Sequence, residues 1–390
     1  MKNFPHSQTI NDLPDQFFAV LAHKVQSYTS KGYDIINLGQ GNPDQPTPEH
    51  IVRSLQKASE NPQHHKYPPF RGNKFFREGI ATFYKRDFGV EIDPNTEVAI
   101  LFGAKSGLVE VSQCFLNRGD IALVPDPGYP DYWSGIALAQ AHMESMPLTK
   151  QNQFLPDYSK IDPATLNKAK LMFLNYPNNP TGAIATEAFF QETIELANQH
   201  EFCVVHDFAY GAIGFDNQKP FSFMQFPGAK EIGIEVYTLS KTYNMAGWRV
   251  GFAVGNKSVI EALNKLQDHL YCSLFGAVQE AATTALLGSQ QCVEELKNRY
   301  ELRRNTWIQG LNNIGWKVEA PAGSFFTWLP VPTGFTSESF TDFLLEKAHV
   351  AVAPGIGFGT HGEGYVRCAL LCDEARLKEA IQRINKLAIF

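Results

Sequence analysis

The chain has 390 residues, 44% hydrophobic and 19% charged, with 34 Lys+Arg against 40 Asp+Glu and a formal net charge of −6. That length exceeds one compact core of ordinary size and implies two packing units. The mildly acidic balance, without a clustered basic stripe, excludes a nucleic-acid footprint and fits a soluble globular enzyme.

The opening stretch MKNFPHSQTINDLPDQFF lacks the apolar core of a secretory signal, and no window reaches the length of a membrane span. Residues 1–45 carry Pro5, Pro14 and Pro43, with Pro46 and Pro48 just beyond, and show no long periodic run. They are expected to drape over both units. From about residue 97, short apolar runs alternate with helical patterns. Strands are expected at Val98–Phe102, Ile121–Pro125, Met143–Met146, Leu171–Asn175, Cys203–His206, Val236–Leu239 and Val250–Val254, with a helix at Glu187–His200. Such near-continuous apolar runs suit strands covered on both faces, and the alternation implies an α/β fold with a mostly parallel, seven-stranded sheet flanked by helices. After about residue 290 a long helix, Cys292–Ile314, leads to shorter strands at Phe325–Leu329, Val350–Ala353 and Tyr365–Leu371. The expected division is a large domain over 46–289 and a smaller α+β domain from 1–45 with 290–390. Cys114, Cys203, Cys272, Cys292, Cys368 and Cys372 lie scattered without a C-x-x-C pair. They read as reduced, mostly buried thiols of a cytoplasmic protein, not as disulfides or metal ligands.

Several segments pair strand ends with chemistry. In TLSKTYNMAGWRVG (238–251), Lys241 follows an apolar strand among hydroxyls, with Arg249 eight residues on. A lysine that forms an imine with an aldehyde cofactor must sit at the base of a pocket, and Thr238, Ser240 and Arg249 suit a cofactor phosphate. S-K-T alone describes a solvated loop better. In VVHDFAYG (204–211), Asp207 ends a buried strand, where α/β sheets bind ligands. Its carboxylate suits a pyridine nitrogen and Tyr210 a ring hydroxyl; the plainer reading is a capped turn. His206–Asp207 carries little weight as a metal pair, because no second ligand motif accompanies it. In LNYPNNPTG (174–182), Asn179 has an amide to offer the same hydroxyl, although the segment also reads simply as a turn.

VAILFGAKSGLVEV (98–111) places Gly103, Ala104 and Lys105 where a strand meets a helix N-terminus, a cup for phosphate but not a Walker loop. PDPGYPDYW (125–133) offers Tyr129 for stacking on a ring, while Tyr132 and Trp133 fit a hydrophobic turn equally well. GYVRCALL (364–371) sets Arg367 inside an apolar strand. An arginine there needs an anion: a substrate carboxylate held by both prongs, or an internal partner such as Asp373 or Glu374.

Taken in order, INLGQGNPDQPTP, KYPPFRGN, LFGAKSGL, PDPGYPDY, NYPNNPTG, HDFAYG, SKTYNMAGWRVG, PGIGFG and YVRCALL resemble the class I/II aminotransferases of the pyridoxal-phosphate fold type I superfamily, over nearly the whole chain. The resemblance implies a pyridoxal 5′-phosphate enzyme in which Lys241 forms the Schiff base and then shuttles the substrate proton. Asp207 would hold the pyridine nitrogen, Asn179 and Tyr210 the ring hydroxyl, and Tyr129 the ring face. Gly103, Ala104, Lys105, Thr238, Ser240 and Arg249 would surround the phosphate. Tyr67 would reach the phosphate of a neighbouring subunit, making a homodimer with shared sites. Arg367 would clamp the substrate carboxylate, with Asn179 and Gly41 close by.

LPDQFFAVL, GQGNPDQPTPEHIV and DFAYGAIGFD are also similar to a narrower group, the Bacillus-type aminotransferases of methionine salvage, which aminate 4-methylthio-2-oxobutanoate with glutamine. Phe17, Phe18, Phe70 and Phe275 are candidates for an apolar side-chain pocket. Arg71 is the nearest unassigned cation for a distal carboxylate, and Pro68–Arg71 holds no carboxylate for a distal ammonium. Aminotransferases of alanine, aromatic or other neutral amino acids, a C–S β-lyase and a non-catalytic cofactor-binding regulator are the alternatives.

Overall fold

The computed structural model describes residues 1–14 and 17–390. Its strands in chain order are β1 (Ile36–Asn37), β2 (Val98–Leu101), β3 (Ile121–Asp126), β4 (His142–Pro147), β5 (Ala169–Asn175), β6 (Cys203–Asp207), β7 (Gly233–Thr238), β8 (Gly251–Gly255), β9 (Phe326–Pro330), β10 (Val350–Ala351), β11 (Ala353–Pro354) and β12 (Tyr365–Ala369). Seven of them form one sheet in the order β2-β8-β7-β6-β5-β3-β4. Within it β8 runs antiparallel to both neighbours and the other pairings are parallel. The α/β fold expected of the sequence is therefore present, with strand limits moved by one to three residues.

Two apolar clusters cover the faces of this sheet. One gathers Phe76, Phe83, Phe190, Phe208, Tyr237 and Phe252; the other gathers Leu108, Val111, Tyr132, Phe173 and Val205. A strand such as Leu171–Leu174 is apolar throughout because its alternate side chains enter different clusters. The edge strand β4 is the exception, with His142, Met143 and Glu144 exposed.

A third cluster joins Ile36 and Leu38 to Trp307, Leu344, Val366 and Leu377. It packs the 23-residue helix Gln291–Asn313 against the three-stranded sheet β11-β12-β9. The run expected as one strand over Val350–Ala353 divides. Val350 and Ala351 pair in parallel with β1, whereas Ala353 and Pro354 pair antiparallel with β12. The N-terminal segment also differs from expectation, since Phe17–Ser30 forms a helix of 14 residues. Phe18, Leu21, Val25 and Tyr28 recur at helical spacing, and Leu21 is buried beside Trp328, Ala353 and Phe358. That stripe is one residue wide, too thin to register against the surrounding prolines.

All six thiols are free; Cys368 is buried and the other five are half-buried, more open than the apolar runs suggested. No helix among the described residues is long and apolar enough to cross a membrane.

Candidate active site

The carboxyl ends of the parallel strands open into a cavity of about 350 Å³. Asn175 and Asp207 stand opposite each other at the ends of β5 and β6, and Thr238 ends β7. The ends of parallel strands are where α/β sheets place ligands. The cavity collects Gly41, Ala104, Lys105, Tyr129, Asn179, Asp207, Tyr210, Thr238, Ser240, Lys241, Arg249 and Arg367, nearly all of the residues singled out in the sequence.

Lys241 lies in a single helical turn, Leu239–Thr242, capped by the Thr238 hydroxyl. Its Nζ donates to the carbonyl of Gly41 at 2.9 Å. Burial, reinforced by the charges of Arg367 and Arg249, pulls the amine down to about 8. Asp207 is buried, and burial pushes its carboxyl up to about 6 against the opposing pull of its hydrogen bond from Tyr132. The Tyr132 hydroxyl donates to Asp207 Oδ2 at 2.8 Å, and the Ala209 amide donates to Oδ1 at 3.3 Å. Tyr132, which the sequence left as a turn residue, thus orients the carboxylate; its aromatic character gave no sign of this. Asn175 was also missed. Its Nδ2 donates to the Asp207 carbonyl and its Oδ1 accepts from the Asn179 amide, tying two strand ends to the following loop.

On the opposite wall Arg367 is 1% exposed, yet it pairs with no carboxylate among the described residues. Asp373 caps a helix and Glu374 lies 3.8 Å from Arg303, so the internal salt bridge considered for Arg367 does not form. Instead its Nη1 donates to Asn179 Oδ1 at 2.9 Å and its Nη2 to the Gly39 carbonyl at 2.7 Å. Its Nε has no partner, and the guanidinium lies over the rings of Phe326, Phe358 and Phe18 at 4.1, 4.7 and 5.2 Å. A buried cation held by neutral acceptors and aromatic faces is a receptor for an anion from outside.

A second anion cradle lies at the N-terminus of the helix Ala104–Phe115, where the first backbone amides have no intrahelical partner. Thr238, Ser240 and Arg249 line the same cavity. Gly103 is not itself a lining residue. With φ 78° and ψ 162° it adopts a conformation available essentially to glycine, and a Cβ there would run into the Arg249 guanidinium.

Some candidates lie elsewhere. Tyr67 is 90% exposed and outside this cavity, and Phe70, Arg71 and Phe275 are likewise exposed and do not line it. Phe18 does line it, while the Phe17 side chain falls outside the described residues. Gln40, Asn42, Leu108, Ala209, Ala246 and Phe326 complete the wall without having been anticipated.

A mostly parallel α/β sheet, a half-buried lysine of weakened basicity at its carboxyl edge and two separate anion receptors form one site suited to a small anionic ligand. Residues 33–384 match the family model described as "Aminotransferase class I and II". The chain belongs to the class I and II aminotransferases and is a transaminase. It is 63% identical over 387 residues to the L-glutamine–4-(methylsulfanyl)-2-oxobutanoate aminotransferase of Bacillus subtilis, covering 99% of this chain and 97% of that protein. It is 45% identical to the LL-diaminopimelate aminotransferase of Moorella thermoacetica, covering 98% of each. Among solved structures, substrate-bound BacF from Bacillus subtilis superposes with a TM-score of 0.96 at 49% identity, over 100% of this chain and 98% of that one.

Proposed function

We propose that this chain is a pyridoxal-phosphate-dependent aminotransferase that transfers the amino group of L-glutamine to 4-methylthio-2-oxobutanoate. The observation that carries the reading is one cavity in which Lys241, Asp207 and an acid-free, buried Arg367 face a common space. The donor set also fits the cofactor. The amides of Ala104 and Lys105, the hydroxyls of Thr238 and Ser240, and Arg249 match a phosphate; Asp207 matches a pyridine nitrogen and Tyr129 a ring face.

When bound, pyridoxal phosphate supplies the carbon that receives the amino group and an electron sink for the charge left at the substrate Cα. The protein's part is orientation and proton movement. Arg367 holds the substrate α-carboxylate, and Asn179, its Oδ1 engaged by Arg367, keeps its Nδ2 for the ring hydroxyl, which Tyr210 shares. Lys241 Nζ takes the proton from Cα, a role its low basicity allows. Asp207, ionised, keeps the ring nitrogen protonated. The exposed Tyr67, Phe70 and Phe275 suit a homodimer in which Tyr67 serves the neighbouring subunit's phosphate. The six free thiols suit a cytoplasmic enzyme.

The lining also supports a neutral side chain. Among the described residues its cations are Lys105, Lys241, Arg249 and Arg367, and Lys105 Nζ is held by Asp131 at 2.9 Å, so within the single chain none is left for a distal carboxylate. Among the described residues Asp207 is the one carboxylate in the lining, which speaks against a distal ammonium. Phe18 and Phe326 offer aromatic faces that favour a thioether. With glutamine as donor, kcat/KM for the methylthio acid is expected to exceed that for pyruvate or 2-oxoglutarate by at least about tenfold. An acceptor screen measures this, and preference for pyruvate or 2-oxoglutarate would overturn the substrate assignment. Pyruvate and ammonia formed from cystathionine without an acceptor would identify a lyase.

Gly103→Ala tests the phosphate cup. The added methyl meets Arg249 in a conformation costing about 1–3 kcal/mol for a non-glycine residue. Cofactor affinity is expected to fall about tenfold or more, measured by fluorescence titration. An unchanged affinity would remove Gly103 and Arg249 from the cup.

A further inference from the structure

Behind Asp207, on the other face of β6, lies a buried charged cluster that the reaction as described leaves unused. Glu235 on β7 is fully buried and stands opposite His206 on β6. Its Oε1 accepts from the Tyr84 and Ser222 hydroxyls at 2.7 and 2.6 Å. Its Oε2 accepts from the Phe223 amide at 2.7 Å and meets His206 Nδ1 at 2.8 Å. The other ring nitrogen of His206, Nε2, faces the Tyr176 carbonyl at 3.2 Å. The rings of Phe190, Phe208 and Phe223 stand around the imidazole at 5.2, 5.2 and 6.1 Å.

Three donors besides His206 meet the Glu235 carboxylate. An isolated carboxylate in such an apolar place is prohibitive, so it requires a cation, and His206 is its one ion-pair partner among the described residues. The carbonyl at Nε2 can only accept, so that nitrogen carries a proton. With Glu235 ionised, Nδ1 carries one as well.

The position of this imidazolium matters. His206 immediately precedes Asp207, Tyr176 leads into the loop bearing Asn179, and Glu235 lies three residues before Thr238 on the strand leading to Lys241. One ion pair thus ties together the three chain segments that present Asp207, Asn179 and Lys241. We infer that the buried His206–Glu235 ion pair is a positioning device for the reaction, its imidazolium favouring the ionised form of Asp207 and its hydrogen bonds fixing the Asn179 loop. The inference rests on the reading of Asp207 as the partner of the cofactor nitrogen. Asp207 faces the Tyr132 hydroxyl and the Ala209 amide, with the Tyr129 and Tyr210 phenols near it and Lys241 and His206 as nearby positive charges.

The first test uses the holoenzyme labelled with [15N]histidine, with His206→Gln identifying the resonances. Both His206 nitrogens are expected to carry a proton. An unprotonated Nδ1 would mean a neutral Glu235–His206 pair and would overturn the inference, whatever the enzyme's substrate. The second test is kinetic. In His206→Gln, kcat is expected to fall on the order of tenfold with KM within about twofold, and the acidic limb of the kcat–pH profile to move up by about one pH unit. Glu235→Gln should do the same, and the double variant should add little, because the two residues act as one unit. An unmoved limb in a folded variant would reduce the pair to a structural role. If the wild-type enzyme transfers no amino group, the proposed function fails, while the NMR result on His206 still reads independently.

Discussion

Substitution of Lys241 by alanine is expected to lower turnover on the order of 10⁴-fold or more while leaving the cofactor bound. The amine is displaced from ordinary lysine behaviour by burial first, then by Arg367 and Arg249, which together bring it from 10.5 to about 8. Near pH 8 far more of it is therefore neutral than of an unperturbed lysine. Only the neutral amine attacks a carbonyl or accepts a proton. In the proposed site, cofactor retention would rest on other groups, namely the amides of Ala104 and Lys105 with Thr238, Ser240 and Arg249, so the visible chromophore should survive the mutation. Lys241→Arg sharpens the test. Its guanidinium keeps the charge but stays protonated, and it should be as inactive as the alanine variant. Single-turnover absorbance changes with glutamine at pH 8 measure both. Near-normal turnover in either variant would remove Lys241 from the proton transfer.

The chain announced these roles unevenly, and the reasons are physical. Lys241, Asp207 and Asn179 were legible because each follows an apolar strand, and strand ends of a parallel sheet converge on one edge. Arg367 was half legible: its place in the apolar run YVRCALL demanded an anion, but whether that anion came from within or outside the protein depended on where Asp373 and Glu374 fold. Tyr132 was invisible as a partner of Asp207, because their 75-residue separation is closed only by the sheet order β6-β5-β3. Phe70 and Phe275 do not line the cavity of the single chain, for the converse reason. Their apolar character is real, but it lies on the exterior of the single chain. The helix at Phe17–Ser30 escaped because it buries one narrow stripe beside Trp328 and is otherwise mostly open to solvent. Residues whose meaning depends on a neighbour in sequence were readable; those whose meaning depends on a neighbour in space were not.

Asp207→Ala is expected to cost on the order of 10³-fold in kcat with little change in KM, because the carboxylate acts on charge that develops after the substrate has bound. Alanine also strands the Tyr132 hydroxyl, so Asp207→Asn is the cleaner variant: it keeps an acceptor for that hydroxyl and removes the charge alone. If charge is the contribution, asparagine should be nearly as slow as alanine; if position is, asparagine should recover most of the rate. The pH profile separates them further. Burial raises the Asp207 carboxyl from 3.8 to about 6 without a ligand. A cation beside it, the protonated ring nitrogen, favours the ionised form and pulls that value down again. Protonation removes the anion on which the ring nitrogen depends, so wild-type turnover should decline as pH falls from about 6, with the limb shifted lower the more firmly the cofactor is held. In Asp207→Asn there is no proton to gain at this position, and that part of the limb should be absent. Steady-state kcat between pH 4.5 and 8 measures the difference, with the substrate's own titration common to both proteins. An Asp207→Asn profile that keeps the wild-type limb would assign it to another group, and near-normal turnover in either variant would end the assignment of Asp207 to the ring nitrogen.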